Sequence, residues 1–328
     1  MHRIVRRLLG VALVVSSCVA TAADAPDKPT DYPRKPIRIV IGIAPGGGLD
    51  SMTRLGAQKL NERWGQSVIV DNRPGGGTVL GMDLVAHAPA DGYTLLGASE
   101  TLALNGVFKR ASYDVRKTFV PIVQMTSQPY VLAVTPSLPV KSVKDLIVYA
   151  KAKPGALSYG SQGLGTIGHI GMERFKAMAG VDMVHVPYRG SALALIDVMS
   201  GQIQLTFAST VATAPHARSG RLKALAITGS RRVPLYPELP TVSESGLPGF
   251  ELTNSYSFFA PAGTPRGIIR AINAVVSQGM NSPETTKVLA AAGTEAVAPA
   301  TPEAFRAKFE RDYAEMEQLV RAANIRIN

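Results

Sequence analysis

Residues 37–48 read IRIVIGIAPGGG, an apolar run that leads directly into three consecutive glycines. The run Ile37–Ala44 predicts a buried β-strand, since the strands of parallel sheets are apolar on both faces. After the glycines, apolar residues recur near helical spacing from Leu49 to Trp64, and Gly65 marks the end of the helix. The segment therefore predicts a strand, a glycine loop and a helix in immediate succession.

The same arrangement occurs twice more along the chain. A second strand, loop and helix span Val68–His87 with the loop at 72–78, and a third set spans Leu157–Ala179 with the loop at 162–166. Further strands and helices alternate between and after these units. This alternation is typical of α/β proteins, in which helices cross over between the strands of parallel sheets.

Other stretches predict connections and helix ends. Pro121–Thr135 reads as an extended apolar segment, and Ser142 should cap a helix that ends near Lys153. The stretch Pro237–Gly249, rich in proline and glycine, predicts a connection between lobes. In the last third, Thr264-Pro265 and Thr301-Pro302 each predict a helix start, because proline suits the first helical position.

The composition indicates a globular protein of two domains, with 328 residues of which 46% are hydrophobic and 18% charged. Residues 1–23 read as an export signal, with three arginines before a short apolar run and a stretch of small residues. Two processing routes remain open: cleavage after Ala22 or Ala23, or a lipid anchor at Cys18. Arg6-Arg7 also leaves a twin-arginine export route open beside the general one. No later stretch reaches about 18 uninterrupted apolar residues.

Charge and cysteine content exclude several classes of function. The net charge is +11, but no run of five basic residues occurs, so the sequence does not predict nucleic-acid binding. A positive field favours a small anionic ligand instead. Cys18 is the single cysteine, and the five histidines lack metal-ligand spacing, so we expect neither a disulfide nor a metal site.

The glycine loops are the candidate site, because ligands of open α/β sheets bind where strands end and helices begin. Helix starts present free N–H groups and about half a positive charge, which suits a carboxylate. GLGTIG at 163–168 also matches a dinucleotide-binding pattern, but Pro187-Tyr188-Arg189 follows the next strand where an acidic residue is expected. For His169, ligand binding and capping of its loop both remain open, whereas His185 reads as a core histidine and Arg189 as a surface arginine more often than a cleft residue.

Several short strings, in this order along the chain, resemble one family. They are YPRKPI (32–37), PGGGLD (45–50), NRPG (72–75), DGYTL (91–95), YGSQGLGTIGH (159–169), HVPYRG (185–190), LPTV (239–242) and APAGTP (260–265). Together they resemble the tripartite tricarboxylate transporter receptors, also called Bug proteins, over about residues 32–325.

The resemblance implies two α/β lobes joined by crossing strands, the type II-like, Venus-flytrap architecture of periplasmic binding proteins. We expect a signal peptide at 1–23, a first lobe at 24–130 plus 253–328, and a second lobe at 131–252. The ligand positions that the resemblance implies are Gly46, Gly47, Asp50, Gly76, Gly77, Thr78 and Ser99 in the first lobe, and Ser161, Gly165, Thr166, His169, Tyr188, Ser209 and Thr210 in the second.

This sequence departs from the family pattern at three places. Ala44-Pro45 stands where two prolines are usual, and Tyr256 stands near the position of an expected tryptophan. Ala208 replaces an aspartate that could hold a ligand amine, which argues against amino acids as ligands.

The sequence as a whole predicts a periplasmic solute receptor rather than an enzyme. It should bind a small mono-, di- or tricarboxylate without a cofactor, act as a monomer, and deliver the ligand to the integral-membrane permease of a tripartite tricarboxylate transporter. Two alternatives stay open: a receptor that signals to a membrane sensor, and an α/β oxidoreductase that uses the GLGTIG loop.

Overall fold

The computed structural model describes residues 31–322, so the predicted signal segment 1–23 with Cys18 lies outside the described residues. In the first lobe, three parallel strands alternate with helices, and β1 lies between the other two strands. The strands are β1 (Ile37–Ile41), β2 (Val68–Asn72) and β3 (Thr94–Ala98). The helices are α1 (Gly48–Trp64), α2 (Val79–Ala86, after a 3-10 turn at Gly76–Thr78), α3 (Thr101–Val107) and α4 (Val115–Thr118).

The second lobe repeats the alternation of strands and helices. Its first strand pairs in parallel with its two neighbours, as β1 does in the first lobe. The strands are β5 (Ser158–Ser161), β6 (Val184–Pro187), β7 (Leu205–Ser209) and β8 (Lys223–Ile227). The helices are α5 (Val143–Ala152), α6 (Ile167–Ala179), α7 (Ser191–Ser200) and α8 (Thr210–Arg218).

Two strands cross between the lobes. β9 (Thr253–Pro261) lies antiparallel between β3 and β4 (Phe119–Val134). β4 pairs with β9 as far as Pro129, and from Tyr130 onwards it pairs with β7 and β8 of the second lobe. A single strand thus belongs to both sheets, which is the crossing that the sequence predicted.

The last segment of the chain returns to the first lobe. It consists of α9 (Arg266–Met280), α10 (Pro283–Ala291), the short strand β10 (Glu295–Ala296), which pairs with β4, and α11 (Pro302–Ala322). Ile268, Ile269, Ile272 and Val276 of α9 are buried, as their helical spacing predicts. The end of this segment also meets the second lobe, because the Gly293 carbonyl accepts from the Thr210 hydroxyl and Glu295 pairs with Arg231.

Each lobe packs around its own apolar core. In the second lobe, Phe175, Phe207 and Phe250 meet with ring centroids 5.9–6.1 Å apart. In the first lobe, β1 is buried on both faces, between the apolar residues of α1 and α9 on one side and α2 on the other. The second-lobe core also includes Leu104 of α3 and contacts Met316 of α11, so the two lobes pack against each other.

The structure confirms some predicted elements and corrects others. Ser142 accepts a hydrogen bond from the Asp145 N–H and caps α5, and α6 has the predicted bounds. The prediction that Pro237–Gly249 connects the lobes is wrong, because Val242 and Leu247 pack in the second-lobe core and the connection is made by β9. The predicted lobe bounds remain a prediction.

Candidate ligand-binding site

A narrow cavity lies between the lobes at the carboxyl ends of β1, β3, β5 and β7. Its volume is about 40 Å³. This is room for roughly three water molecules, since one water needs about 10–15 Å³ of cavity volume. Among the described residues that line it, none has a charged side chain. The polar wall is formed by Thr78, Ser99, Thr101, Tyr130, Gln162, Thr166, Ser191, Ser209, Asn254 and Tyr256, and the apolar wall includes Ile43, Leu49, Met82, Leu96, Leu102 and Ile167.

Six helices begin at this cavity, three from each lobe. Each contributes its first residue or its N-cap to the wall: Gly48 of α1, Thr78 of α2, Thr101 of α3, Thr166 of α6, Ser191 of α7 and Ser209 of α8. The first N–H groups of a helix lack intrahelical partners, and the helix dipole places partial positive charge at this end. The wall is therefore electropositive, although no basic side chain lines it.

The six helix starts fall into two sets. The starts of α2, α6 and α7 have neither a side-chain cap nor an acidic residue in the first turn. The other three have a group of the protein beside them: Asp50 in the first turn of α1, Glu100 at the N-cap of α3, and the Ser209 hydroxyl, which accepts from the Ala212 N–H of α8. In the first set no carboxylate and no cap from the same loop offsets the helix dipole, although the first N–H of α6, that of Ile167, donates to the Thr101 hydroxyl.

Direct contacts between the lobes close the cavity. The Ala44 N–H donates to the Arg189 carbonyl at 2.8 Å, and the Ile167 N–H donates to the Thr101 hydroxyl at 3.3 Å. The Arg110 guanidinium reaches across from the first lobe and donates to the carbonyl of Leu164. The structure thus shows the lobes closed on one another.

The loops before α2, α6 and α7 meet at Gly163. A Cβ atom at this position would lie 3.3 Å from both the Gly77 Cα and the Tyr188 carbonyl oxygen, and the backbone has a φ of +135°. Gly77 is more tightly confined, because its Cβ would lie 2.3 Å from both the Leu164 carbonyl oxygen of the other lobe and a guanidinium nitrogen of Arg110. Glycine at both positions lets the two lobes approach with backbone against backbone.

Four of the predicted ligand positions line the cavity: Thr78, Ser99, Thr166 and Ser209. The others surround it without contributing to its wall. These are Gly46, Gly47, Asp50, Gly76, Gly77, Ser161, Gly165, His169, Tyr188 and Thr210.

The Asp50 carboxylate is fully engaged in hydrogen bonds within the first lobe. It accepts hydrogen bonds from the Gly46 N–H, from the Arg54 guanidinium and from the Asn72 amide. Although burial opposes ionisation, these donors hold the pKa of the Asp50 carboxyl below its ordinary value. Asp50 therefore fixes the first glycine loop from behind.

His169 and His185 fix the third glycine loop from below. The Gly165 N–H donates to Nδ1 of His169 at 3.1 Å, and Nε2 of His185 lies 2.7 Å from the Ser161 hydroxyl. The two imidazole rings stack with centroids 4.0 Å apart, and burial lowers the pKa of each to about 4. Of the two roles left open for His169, the structure shows the loop cap.

Tyr188, Thr210 and Arg189 also serve the scaffold. The Tyr188 hydroxyl donates to the Asp197 carboxylate, and the Thr210 hydroxyl donates to the Gly293 carbonyl at 2.8 Å. Arg189 offers its backbone carbonyl to the other lobe, while its side chain is exposed. Fully buried Ser161 is bonded to its own loop and does not reach the cavity.

Sequence reasoning missed several residues of the cavity wall. Ser191 and Gln162 stand directly beside predicted motifs, so the glycine loops could have nominated them. Tyr130, Asn254 and Tyr256 lie on the crossing strands β4 and β9, far from any glycine loop in sequence. Their presence depends on how those strands bring the lobes together.

Within residues 31–322, no group of three histidine, cysteine or acidic side chains is arranged to hold a metal ion. Across the same residues, no helix combines the length and apolarity that a membrane span requires.

Known proteins share this architecture. The chain is 35% identical to the protein BugT of Bordetella pertussis over 297 residues, which covers 89% of this chain and 91% of BugT. Rpa4515 of R. palustris, solved with adipate, is 36% identical, with a TM-score of 0.87 over 90% of this chain and 99% of that one. MatC of Rhodopseudomonas palustris, solved with bound malate, is 28% identical, with a TM-score of 0.84 over 88% of this chain and 100% of that one.

The model of the tripartite tricarboxylate transporter family receptor matches residues 52–324. That match covers well over half of the chain and includes the second and third glycine loops, while the fold is that of periplasmic solute-binding proteins. This chain is therefore a member of the tripartite tricarboxylate transporter receptor family, to which the Bug proteins belong.

Proposed function

We propose that this protein is a periplasmic receptor whose lobes close around a small organic carboxylate. The observation that carries the proposal is the convergence of six helix starts on a cavity without charged side chains. Such a wall binds an anion through backbone N–H groups and hydroxyls, and needs no paired cation. Adipate in Rpa4515 and malate in MatC are carboxylates held by related proteins, which supports the same ligand class here.

Closure of the two lobes is the proposed working motion. The lobes comprise residues 24–130 plus 253–328 and residues 131–252, and β4 and β9 form the hinge between them. A ligand that contacts both walls stabilises the closed state, because it binds that state better than the open one. The fourteen family positions act either in the wall, as Thr78, Ser99, Thr166 and Ser209 do, or by shaping its loops.

A thermal-shift screen of the purified protein tests the ligand class. Mono-, di- and tricarboxylates should raise the melting temperature, since a ligand at about 100 times its dissociation constant adds roughly 2.7 kcal/mol of stability. Recovery of the bound acid unchanged after incubation, measured by NMR, is expected of a receptor that is not an enzyme. Stabilisation by nicotinamide dinucleotides alone would contradict the proposal and favour the oxidoreductase.

We further propose delivery of the ligand to the permease of a tripartite tricarboxylate transporter, the partner for which the family is named. In vesicles that contain such a permease, uptake of a labelled carboxylate should depend on added receptor. Binding without any receptor-dependent uptake, together with capture of a membrane sensor, would favour the signalling alternative.

A further inference from the structure

The two ends of the cavity differ in charge. We call the end formed by Thr78, Thr166 and Ser191 the loop pole, and the end formed by Tyr130, Asn254 and Tyr256 the hinge pole. The loop pole has the three helix starts that lack a cap or an acidic neighbour. The guanidinium of Arg110 lies against Gly77 and Leu164 at the same end and adds a full positive charge.

The hinge pole has a carboxylate of the protein close behind it. Both oxygens of Glu100 accept from the Ser255 N–H, at 2.7 and 2.8 Å, and the Ser255 hydroxyl donates to the same carboxylate. Ser255 lies between Asn254 and Tyr256 on β9, and Glu100 lies between Ser99 and Thr101, so wall residues flank both partners.

The charge of Glu100 reaches the wall of the hinge pole. Burial raises the pKa of the Tyr130 and Tyr256 hydroxyls, and the nearby Glu100 carboxylate raises both further. Lys308 of α11 faces Glu100, but its ammonium group is paired with Asp312. Burial raises the pKa of the Glu100 carboxyl to about 7, so this group is mostly ionised at pH 8. Its hydrogen-bond donors are neutral, so no dedicated cation offsets that charge.

The hinge pole also has an unused hydrogen-bond acceptor. Asn254 is 1% exposed, and its Oδ1 atom has no hydrogen-bond partner among the described residues. A buried acceptor without a donor is costly, so a ligand that supplies an O–H or N–H group gains by filling it. An ionised carboxylate has no proton to donate.

We propose that Glu100 and Asn254 make the hinge pole selective for a neutral hydrogen-bond donor, so that the receptor prefers monoanionic ligands to dicarboxylates. This inference rests on the proposed function, because it takes the ligand to be a carboxylate bound at the loop pole. One carboxylate lies at the loop pole, and a hydroxyl or amide group faces Asn254. A second carboxylate at the hinge pole meets the like charge of Glu100.

Matched pairs of probes test this selectivity. Succinate and succinamate, and adipate and its monoamide, differ only in one terminal carboxylate, and calorimetry at pH 8 gives their dissociation constants with the purified protein. We expect the monoamide to bind at least about tenfold more tightly, because like charges repel more strongly beside a buried group than in water. Glu100→Gln should bring the ratio close to one, whereas Ser255→Ala, which keeps the charge and removes one hydrogen bond, should leave most of it.

The outcomes separate the two proposals. Tight binding of the dicarboxylate by the unmodified protein, or an unchanged ratio in Glu100→Gln, overturns the selectivity and leaves the receptor function intact. Failure of every carboxylate in the thermal-shift screen overturns both. If Glu100→Gln does not fold, the ratio measured with the unmodified protein still decides, and Asn254→Leu provides the second test by selectively weakening the monoamide.

Discussion

The six helices that start at the cavity differ in the protein groups that face their first turns. α2, α6 and α7 begin without a cap or a carboxylate, whereas α1, α3 and α8 begin beside Asp50, Glu100 and Ser209. Both sets point at the same cavity. Under the proposed function, we expect the anion to bind at the starts of α2, α6 and α7, where no carboxylate of the first turn offsets the helix dipole.

The contrast extends to how the lobes touch. At the loop pole, backbone meets backbone through Gly77, Gly163 and the Leu164 carbonyl. On the hinge side, the lobes meet through side chains, including the Thr210 hydroxyl on Gly293 and the exposed pair Arg231–Glu295. Closure at the loop pole is therefore more sensitive to added volume, because a backbone cannot move aside as a long side chain can.

Gly77→Ala should produce the largest effect, a loss of carboxylate affinity of about 100-fold, or about 2.7 kcal/mol. Its new methyl group would lie 2.3 Å from the Leu164 carbonyl oxygen and would hold the lobes apart. The measurement is the dissociation constant by calorimetry, with small-angle scattering to detect a more open protein.

Gly76→Ala is the matched control for this change. Gly76 and Gly77 have φ values of +55° and +60°, so alanine strains the backbone alike at both positions. At Gly76, the nearest atom to the new methyl group would be the Val79 Cβ at 3.6 Å, within its own lobe. Equal losses of affinity in the two variants would show that strain in the loop, and not contact between the lobes, controls binding.

Acid should weaken the second lobe before the first, because the two stacked histidines whose pKa is lowered by burial, His169 and His185, both lie in the second lobe. Burial depresses the pKa of both to about 4 from an ordinary 6.5, so the fold favours their neutral forms. The stability that they contribute is present above about pH 6.5 and is lost as the pH falls through 4. Since each pKa unit corresponds to about 1.4 kcal/mol, we expect a loss of roughly 3 kcal/mol or more across this interval, measured by urea unfolding at a series of pH values.

Two variants identify the source of this pH dependence. His169→Gln keeps an acceptor for the Gly165 N–H and removes one titrating group, so the slope should become shallower. His87→Gln removes an exposed histidine of the first lobe, directly after α2, and is the matched control. A slope that is the same in all three proteins would assign the acid sensitivity to carboxylates elsewhere.

Much of the fold could be predicted from the sequence, because its signals are local. The cap Ser142 and the apolar spacing of Ile167–Ala179 define helices without outside help. Before the last third of the chain, three helices were not predicted: α3, the four-residue α4, and α8. α3 has only seven residues and lacks a strong start signal, and α8 contains Pro215, which normally argues against a helix interior.

The site could be predicted only in part, for a physical reason. Glycine loops mark where helices start, and the family resemblance nominated Thr78 and Thr166 within those loops. Nothing in the sequence shows that Glu100 faces Ser255, 155 residues away, or that Asn254 faces the cavity. Those contacts arise from the pairing of β9 with β3 and β4, which is a long-range choice.

Arg110→Gln should give the smallest effect, a loss of carboxylate affinity of roughly five- to tenfold, close to 1 kcal/mol. The guanidinium contributes its charge to the loop pole and its hydrogen bond to the Leu164 carbonyl, and the variant removes both. Lys109→Gln, which removes an equal charge from the exposed neighbouring residue, should change affinity by less than about twofold at moderate salt.

Arg110→Lys separates the contribution of the charge from that of the hydrogen bond, since lysine keeps the charge but lacks the planar guanidinium that spans the lobes. If the lysine variant binds as tightly as the unmodified protein, the loop pole attracts the ligand by charge, and the contact between the lobes is a consequence of closure. If it binds as weakly as the glutamine variant, the hydrogen bond to Leu164 is itself part of what holds the lobes closed around the anion.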